Sequence, residues 1–294
     1  MKINLLYSKR ERSLLVLVYV ILFLWAAVTL YPPLNILAKA FSGYEANVAG
    51  RVTLLPIDFQ VSTFRKVVGS KDFLNSFMIS VEITVMGTIV SVLVSSMAAY
   101  ALSRKRLHGR TKFTVLFVFT MMFGGGLIPN YILIKGLGLL NTRMALFLPN
   151  AISVYNMLIL KSSFESIPPS LEESTKIDGA KNIDIFFRIM LPVSIPTIAA
   201  VSLFLAVGYW NEYWSALMYI TKDELKPLQL YLYDVISYYT SDSLNRADTA
   251  MLATDSPEGI KAVTIVAATL PIILVYPFIQ KFFVKGVMIG SVKE

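Results

Sequence analysis

The sequence predicts an all-α integral membrane protein, and three observations carry that prediction. Of its 294 residues, 55% are hydrophobic and only 16% are charged; soluble chains run nearer about a quarter charged. Mean hydropathy is +0.63. Six apolar runs recur along the chain, at roughly 14–38, 75–102, 113–134, 145–160, 193–218 and 262–283, and about 20 such residues cross a bilayer as a helix. No run alternates apolar and polar residues as a barrel strand does. The absence of cysteine and the single histidine, His108, exclude disulfide scaffolds, thiolate chemistry and His-rich metal centres. The formal net charge of +8 lies mostly in short stretches between the runs. That placement suits anionic lipid headgroups rather than nucleic acid.

Residues 1–13 precede the first run, which carries no charge from 14 to 37. Ala38-Lys39-Ala40 has the look of a cleavage site, but the run exceeds the roughly 7–15 apolar residues of a signal-peptide core, so it reads as a span. The second run places Ser76, Ser80, Thr84 and Thr88 on one helical face. Such a face either packs helices together or offers hydroxyls to a polar path. The third holds Gly124-Gly125-Gly126 and Pro129, a break tolerated at membrane depth only where protein or a cavity covers it. The fourth is short for a span. The fifth carries Trp210, Asn211, Glu212 and Tyr213. An ionisable group inside a span is costly and usually faces the bundle interior, so Glu212 leads, with Asn211 next; the aromatics fit a path or an interfacial belt equally. Glu82, in the second run, is a weaker candidate that can snorkel outward.

Six spans put both ends on one side. Lys and Arg number sixteen in the N-terminus, the 103–112 loop, the 161–192 loop and the tail, against ten in the alternate segments. The first set is therefore expected in the cytoplasm, the all-basic loop 103–112 weighing most. The alternate segments include two long loops, 39–72 and 219–260, the second rich in acids.

The 161–192 loop is far longer than a connection needs. Pro168-Pro169 halt the incoming chain, and Ser170 with Glu173 reads as a capping box at the start of a short helix. Glu172 and Glu173 sit in its first turn, where the helix dipole favours anions, and Gly179 permits a sharp exit. A second amphipathic piece spans 183–191 and is expected to end at Pro192. Glu172, Glu173 and Asp178 disfavour rest on anionic headgroups, so the helix is expected to dock into a protein partner.

The stretch Glu172-Glu173-Ser174-Thr175, then Asp178-Gly179-Ala180 and Ile189-Met190-Leu191-Pro192, resembles the EAA loop of binding-protein-dependent ABC importer permeases. Ser174 and Thr175 stand where that motif has alanines. Gly124 to Tyr131, Gly136 to Thr142, Trp210-Asn211-Glu212 and Phe283 to Lys293 resemble the maltose-type branch, especially its complex-oligosaccharide permeases; the resemblance covers residues 14–294. It implies a six-transmembrane-helix permease fold over 14–284, with a cytoplasmic coupling helix in the 161–192 loop and a cytoplasmic tail, 285–294. It implies that Leu171, Glu172, Glu173, Ser174, Thr175, Lys176, Asp178, Gly179 and Ala180 meet an ATPase subunit, and that Gly286, Ile289, Gly290 and Lys293 of the tail reach toward the ATPase pair. For the substrate path, the chemistry of the second and fifth runs points to Trp210, Asn211, Glu212, Tyr213, Ser80 and Thr84.

The expected partners are a second permease, two ATP-binding subunits carrying ATP and Mg2+, an extracytoplasmic substrate-binding protein, an oligosaccharide and membrane lipid. The chain itself is expected to bind no cofactor or nucleic acid and to catalyse no reaction. A polytopic membrane enzyme would need paired acids or histidines in one cavity, and only Glu82 and Glu212 lie within runs. A stand-alone secondary transporter would not need the acidic capped loop.

Overall fold

The computed structural model describes residues 9–177, 179–241 and 255–291, and these are helix, turn or coil without a strand. The chain divides into two compact units: Met1–Ser70 with Asp234–Thr269, and Lys71–Tyr233 with Leu270–Glu294.

In the first unit, α1 (Lys9–Ala40) is a 32-residue helix with Pro32 and Pro33 inside it, about 48 Å long at 1.5 Å per residue. From Leu14 to Leu34 its apolar side chains are exposed on every side apart from half-buried Leu15, Trp25 at 74%. At its end Asn35 Nδ2 donates to the carbonyls of Val52 (3.1 Å) and Thr53 (2.7 Å). The 39–72 stretch is no bare loop. It forms α2 (Tyr44–Val48) and α3 (Ser62–Val68). Ala38, Ala46 and Val52 make one small core. Ala40, Ala262 and Val263 make another with Phe41 and Phe64 around them. Buried Asp255 accepts hydrogen bonds from Thr63 Oγ1 (2.5 Å) and Lys66 Nζ (2.6 Å), so the 39–72 stretch is fastened to the residues just before the last helix.

The second unit is organised on α4 (Lys71–Ser103), 33 residues long. Its Ile79, Ile83, Ala99 and Tyr100 join Met157, Leu160, Phe164, Val201 and Leu205 in one core. The third run is not a single straight helix. It breaks into α5 (Arg110–Met122) and α6 (Leu127–Gly136), bent by 111° at the triple glycine. The fourth run also differs from expectation. Residues 143–146 form a 3-10 turn, and α7 (Val154–Glu165) is only twelve residues. Pro149, which cannot donate within a helix, and Asn150 occupy the stretch before it. Then come α8 (Pro169–Ile177), α9 (Asn182–Ile185), a π-turn over 186–190 and α10 (Leu191–Val193).

The second amphipathic piece runs through Pro192 rather than ending there, because that proline falls in the first turn of α10, where its missing N–H is unneeded. The break comes at Ser194, where the chain bends by 83° into α11 (Ile195–Trp210). The fifth run is interrupted again at Asn211–Tyr213 before α12 (Trp214–Tyr219). After a 3-10 turn at 223–225 come α13 (Leu228–Ser241) and α14 (Pro257–Ser291). The last helix continues through 285–291, the first part of the stretch read as a tail.

Three described helices are long and apolar enough to cross a membrane, or up to five segments if each bent pair counts as one span. At twelve residues, α7 falls short of the roughly 20 that a straight crossing needs.

Candidate functional site

The short helix α8 is built from its flanking residues inward. It begins two residues earlier than its sequence suggests. Pro169 takes the first helical position, where a missing N–H does no harm, and the Leu171 N–H reaches the Pro168 carbonyl at 3.2 Å. Ser170 therefore lies inside the first turn, so the expected Ser170–Glu173 capping box does not describe this N-terminus. The hydroxyls of Ser174 and Thr175 both donate back to the Leu171 carbonyl, at 3.2 and 2.7 Å.

The other end closes as the sequence suggests. Gly179 has φ +80°; its N–H bonds the Lys176 carbonyl (3.0 Å), and the Ala180 N–H bonds that of Thr175 (3.2 Å). This is a Schellman closure, which needs a residue in the left-handed region. A Cβ on Gly179 would meet nothing within 4 Å. The requirement for glycine there is set by the backbone alone. Asp178 lies outside the described residues.

Two sides of α8 differ in chemistry. Leu171, Glu173, Ser174, Lys176 and Ile177 are exposed, Ile177 at 86%. Glu172 is buried at 8% exposure. Its carboxylate receives Arg104 Nη1 at 2.5 Å and Lys176 Nζ at 2.6 Å, with Arg106 Nη2 at 3.2 Å. Burial pushes its carboxyl up, but hydrogen bonds from Lys176 and Arg104 and their positive charges pull further down, so it titrates below the ordinary glutamate range. Arg104 Nη2 also donates to the Phe164 carbonyl (2.9 Å) and Nε to Ser103 Oγ (2.9 Å), while its guanidinium lies 5.1 Å from the Tyr100 ring centre.

Alongside, Arg110 pairs with Glu165 (2.7 Å), which also takes Lys161 (2.9 Å), and Arg106 Nη2 donates to Asn182 Oδ1 (2.6 Å). Arg104, Arg106, Arg110, Glu165, Glu172 and Lys176 line a cavity of about 400 Å³ between the 103–110 stretch and α8. The sequence showed the basic run 104–112 only as a topology signal. No spacing rule joins Arg104 to an acid 68 residues away.

The residues assigned to a substrate path do not form one cluster. Trp210 and Thr84 line an apolar cavity of about 270 Å³ with Phe77, Val81, Leu203 and Val207; the Phe77 and Trp210 rings meet edge to face at 5.9 Å. Its walls suit hydrocarbon better than sugar hydroxyls. Ser80 is buried and accepts the Leu228 N–H at 2.7 Å. Asn211 Nδ2 donates to the Val207 carbonyl (2.9 Å), and Glu212 Oε1 accepts the Ser215 N–H (2.8 Å) ahead of α12. The Tyr213 ring meets Trp214 edge to face at 5.6 Å and Tyr233 in a tilted contact at 5.1 Å. Glu82 pairs with Arg143, a partner that sequence did not indicate. Gly286, Ile289 and Gly290 fall on the backbone of α14; Lys293 lies outside the described residues. Among the described residues no group of three or more His, Asp or Glu side chains is placed to hold a metal.

A second hub lies deeper. The Tyr209 hydroxyl bonds Ser91 Oγ at 2.7 Å and donates toward the carbonyls of Phe147 (3.3 Å) and Asn150 (3.2 Å). Gly87 of α4 lies beneath its ring, where a Cβ would meet two ring carbons at 2.9 Å and Phe147 Cβ at 3.0 Å.

Comparison with known proteins gives a consistent answer. The family model described as "Binding-protein-dependent transport system inner membrane component" matches residues 13–289. The polygalacturonan/rhamnogalacturonan transport system permease protein YtcP of Bacillus subtilis (strain 168) is 42% identical over 97% of this chain and 99% of its own. Protein LplC of the same organism is 44% identical over 91% of this chain and 90% of its own. The lactose transport system permease protein LacG of Rhizobium radiobacter is 30% identical over 94% of this chain and 95% of its own. Among solved structures, a chain of a bacterial ABC transporter involved in the import of the acidic polysaccharide alginate superimposes with a TM-score of 0.87 at 33% identity, over 94% of this chain and 99% of that one.

Proposed function

The chain belongs to the family of binding-protein-dependent transport system inner membrane components, and from that premise we propose how it works. It is a permease subunit of an ABC importer for oligosaccharides. It carries no enzymatic step of its own; hydrolysis of ATP, with Mg2+, belongs to separate subunits. The finer reading is that α8 is the coupling helix and docks, through Leu171, Glu173, Ser174, Lys176 and Ile177, into a groove of an ATP-binding subunit. The observation that carries it is the exposure of that mixed apolar and charged face on a helix fastened at both ends. Ile177, at 86% exposure, otherwise leaves apolar area in water with no return.

In this reading the N-terminus, the 103–112 loop and α8 lie in the cytoplasm, as the Lys and Arg distribution favours. A second permease completes the translocation path, two ATP-binding subunits close on ATP, and a substrate-binding protein delivers the ligand from outside. The ligand we favour is an acidic oligosaccharide, supported by similarity to the alginate importer chain and to YtcP. The similarity to LacG supports a neutral sugar less strongly, at 30% identity. Removing charge or size from the exposed face, as in Glu173→Ala with Ile177→Ala, should release the ATPase subunits. The deciding experiment is purification of the tagged chain in mild detergent, followed by ATPase assays with the binding protein and a panel of acidic and neutral oligosaccharides. Stoichiometric ATPase subunits and stimulation by the acidic set are expected. A chain that purifies without ATPase subunits would refute the reading.

A further inference from the structure

The outward face of α8 meets the motor in the reading above; its inward side poses a separate mechanical problem. The apolar side chains of α8, Leu171 and Ile177, are both exposed. The residues that anchor this region to the apolar core, Ile167 and Ala180, lie outside the helix on either side. A helix without an apolar anchor slides when pushed, unless some other contact is stiff.

That contact is the Glu172 carboxylate. Glu172 and Arg104 side chains are only 10% and 14% exposed, unlike the flexible surface pairs that contribute little. Arg104 stands one residue beyond α4 and uses its three nitrogens on three different groups: Glu172 of α8, the Phe164 carbonyl in the last turn of α7, and Ser103 Oγ at the end of α4. Ser103 Oγ in turn donates to the Tyr100 carbonyl at 2.7 Å. A planar guanidinium held in this way has little freedom to rotate. The same stretch grips the chain on both flanks of α8, through Arg110 to Glu165 before it and Arg106 to Asn182 after it.

We propose that Arg104 and Glu172 form an internal strut that carries displacement of α8 into the cytoplasmic end of α4. Glu172 thus acts on the permease side of the coupling helix, and Glu173, its exposed neighbour, on the motor side. Both are positioning residues; neither touches substrate. The proposal rests on α8 being the coupling helix and assigns separate work to two adjacent glutamates.

The test uses the complete importer in proteoliposomes, with its binding protein. Glu172→Gln should retain the ATPase subunits and their basal hydrolysis, while ligand uptake per ATP hydrolysed falls by about tenfold, the range of coupling set by single contacts. Because the chain has no cysteine, Arg104→Cys with Glu172→Cys can be bridged by a short bis-maleimide without side reactions on this chain. The unbridged pair should be uncoupled, and bridging should restore uptake. The strut is overturned if Glu172→Gln sheds the ATPase subunits as Glu173→Ala with Ile177→Ala does, or if bridging leaves uptake uncoupled. A wild-type chain that never retains ATPase subunits fails at the earlier step, the coupling reading itself, and takes the strut with it.

Discussion

Replacing Gly87 with alanine tests the packing of this permease in a way that reverses sign. In an ordinary helix interior the change is favourable by up to about 1 kcal/mol, because glycine loses more backbone entropy on folding. Here the added Cβ would sit 2.9 Å from Cδ2 and Cε2 of Tyr209 and 3.0 Å from Phe147 Cβ. The ring cannot swing aside freely, since its hydroxyl is tied to Ser91 and to the carbonyls of Phe147 and Asn150. Overpacking of this kind costs about 1–3 kcal/mol, and moving the ring forfeits the Ser91 bond, worth about 1 kcal/mol. Net of the propensity gain, Gly87→Ala should therefore destabilise by about 1–3 kcal/mol. The assay is thermal unfolding of the detergent-purified importer followed by tryptophan fluorescence, repeated in a Tyr209→Ala background. With the ring gone the clash is gone, and Gly87→Ala should become neutral or stabilising. Equal destabilisation in both backgrounds would refute the reasoning.

Three further outcomes follow from the same structure. The Glu172 carboxyl titrates below its unfolded value, so it adds stability at neutral pH that is lost as pH falls below the ordinary glutamate range and through the folded value; the melting difference between wild type and Glu172→Gln should shrink on acidification through that window. Gly179→Ala should impair uptake through a backbone penalty of about 1–2 kcal/mol, and Gly179→Asn less, because asparagine tolerates the left-handed region. Ligand affinity of the isolated binding protein should be unchanged by either. Ser80→Ala strips the buried Leu228 N–H of its acceptor, so it should lower the melting midpoint by an amount equivalent to about 1–3 kcal/mol while oligosaccharide preference in the ATPase assay stays as it was.

What the sequence revealed followed from local chemistry. An uncharged run such as 14–37 has few alternatives to a helix in lipid, and α1 is that helix. Pro168, Pro169 and Gly179 punctuate the chain whatever surrounds them, and α8 falls between them. The boundary that shifted is instructive: Ser170 is a good cap, but Pro169 is a better first helical residue, and the proline took the position. The bends at 123–126 and at Ser194 were marked by glycine or proline, yet their angles depend on tertiary packing. The Arg104–Glu172 pair was invisible for a different reason. Its members lie 68 residues apart; Glu172 stood out only as part of its own helix and Arg104 only as part of a basic loop, and nothing local joins the two.

The first helix poses a question of orientation. Greasy around its whole circumference, it gives hydrocarbon no reason to prefer one face over another, so lipid alone cannot choose its azimuth. Asn35 can: the amide grips two successive carbonyls, of Val52 and Thr53, and that grip is directional in a way that oil is not. Together with Ala38 and Ala40, buried at the same end, that side chain indexes the rotation of a rod about 48 Å long, and with it the set of residues the rod presents to whatever protein lies beside it.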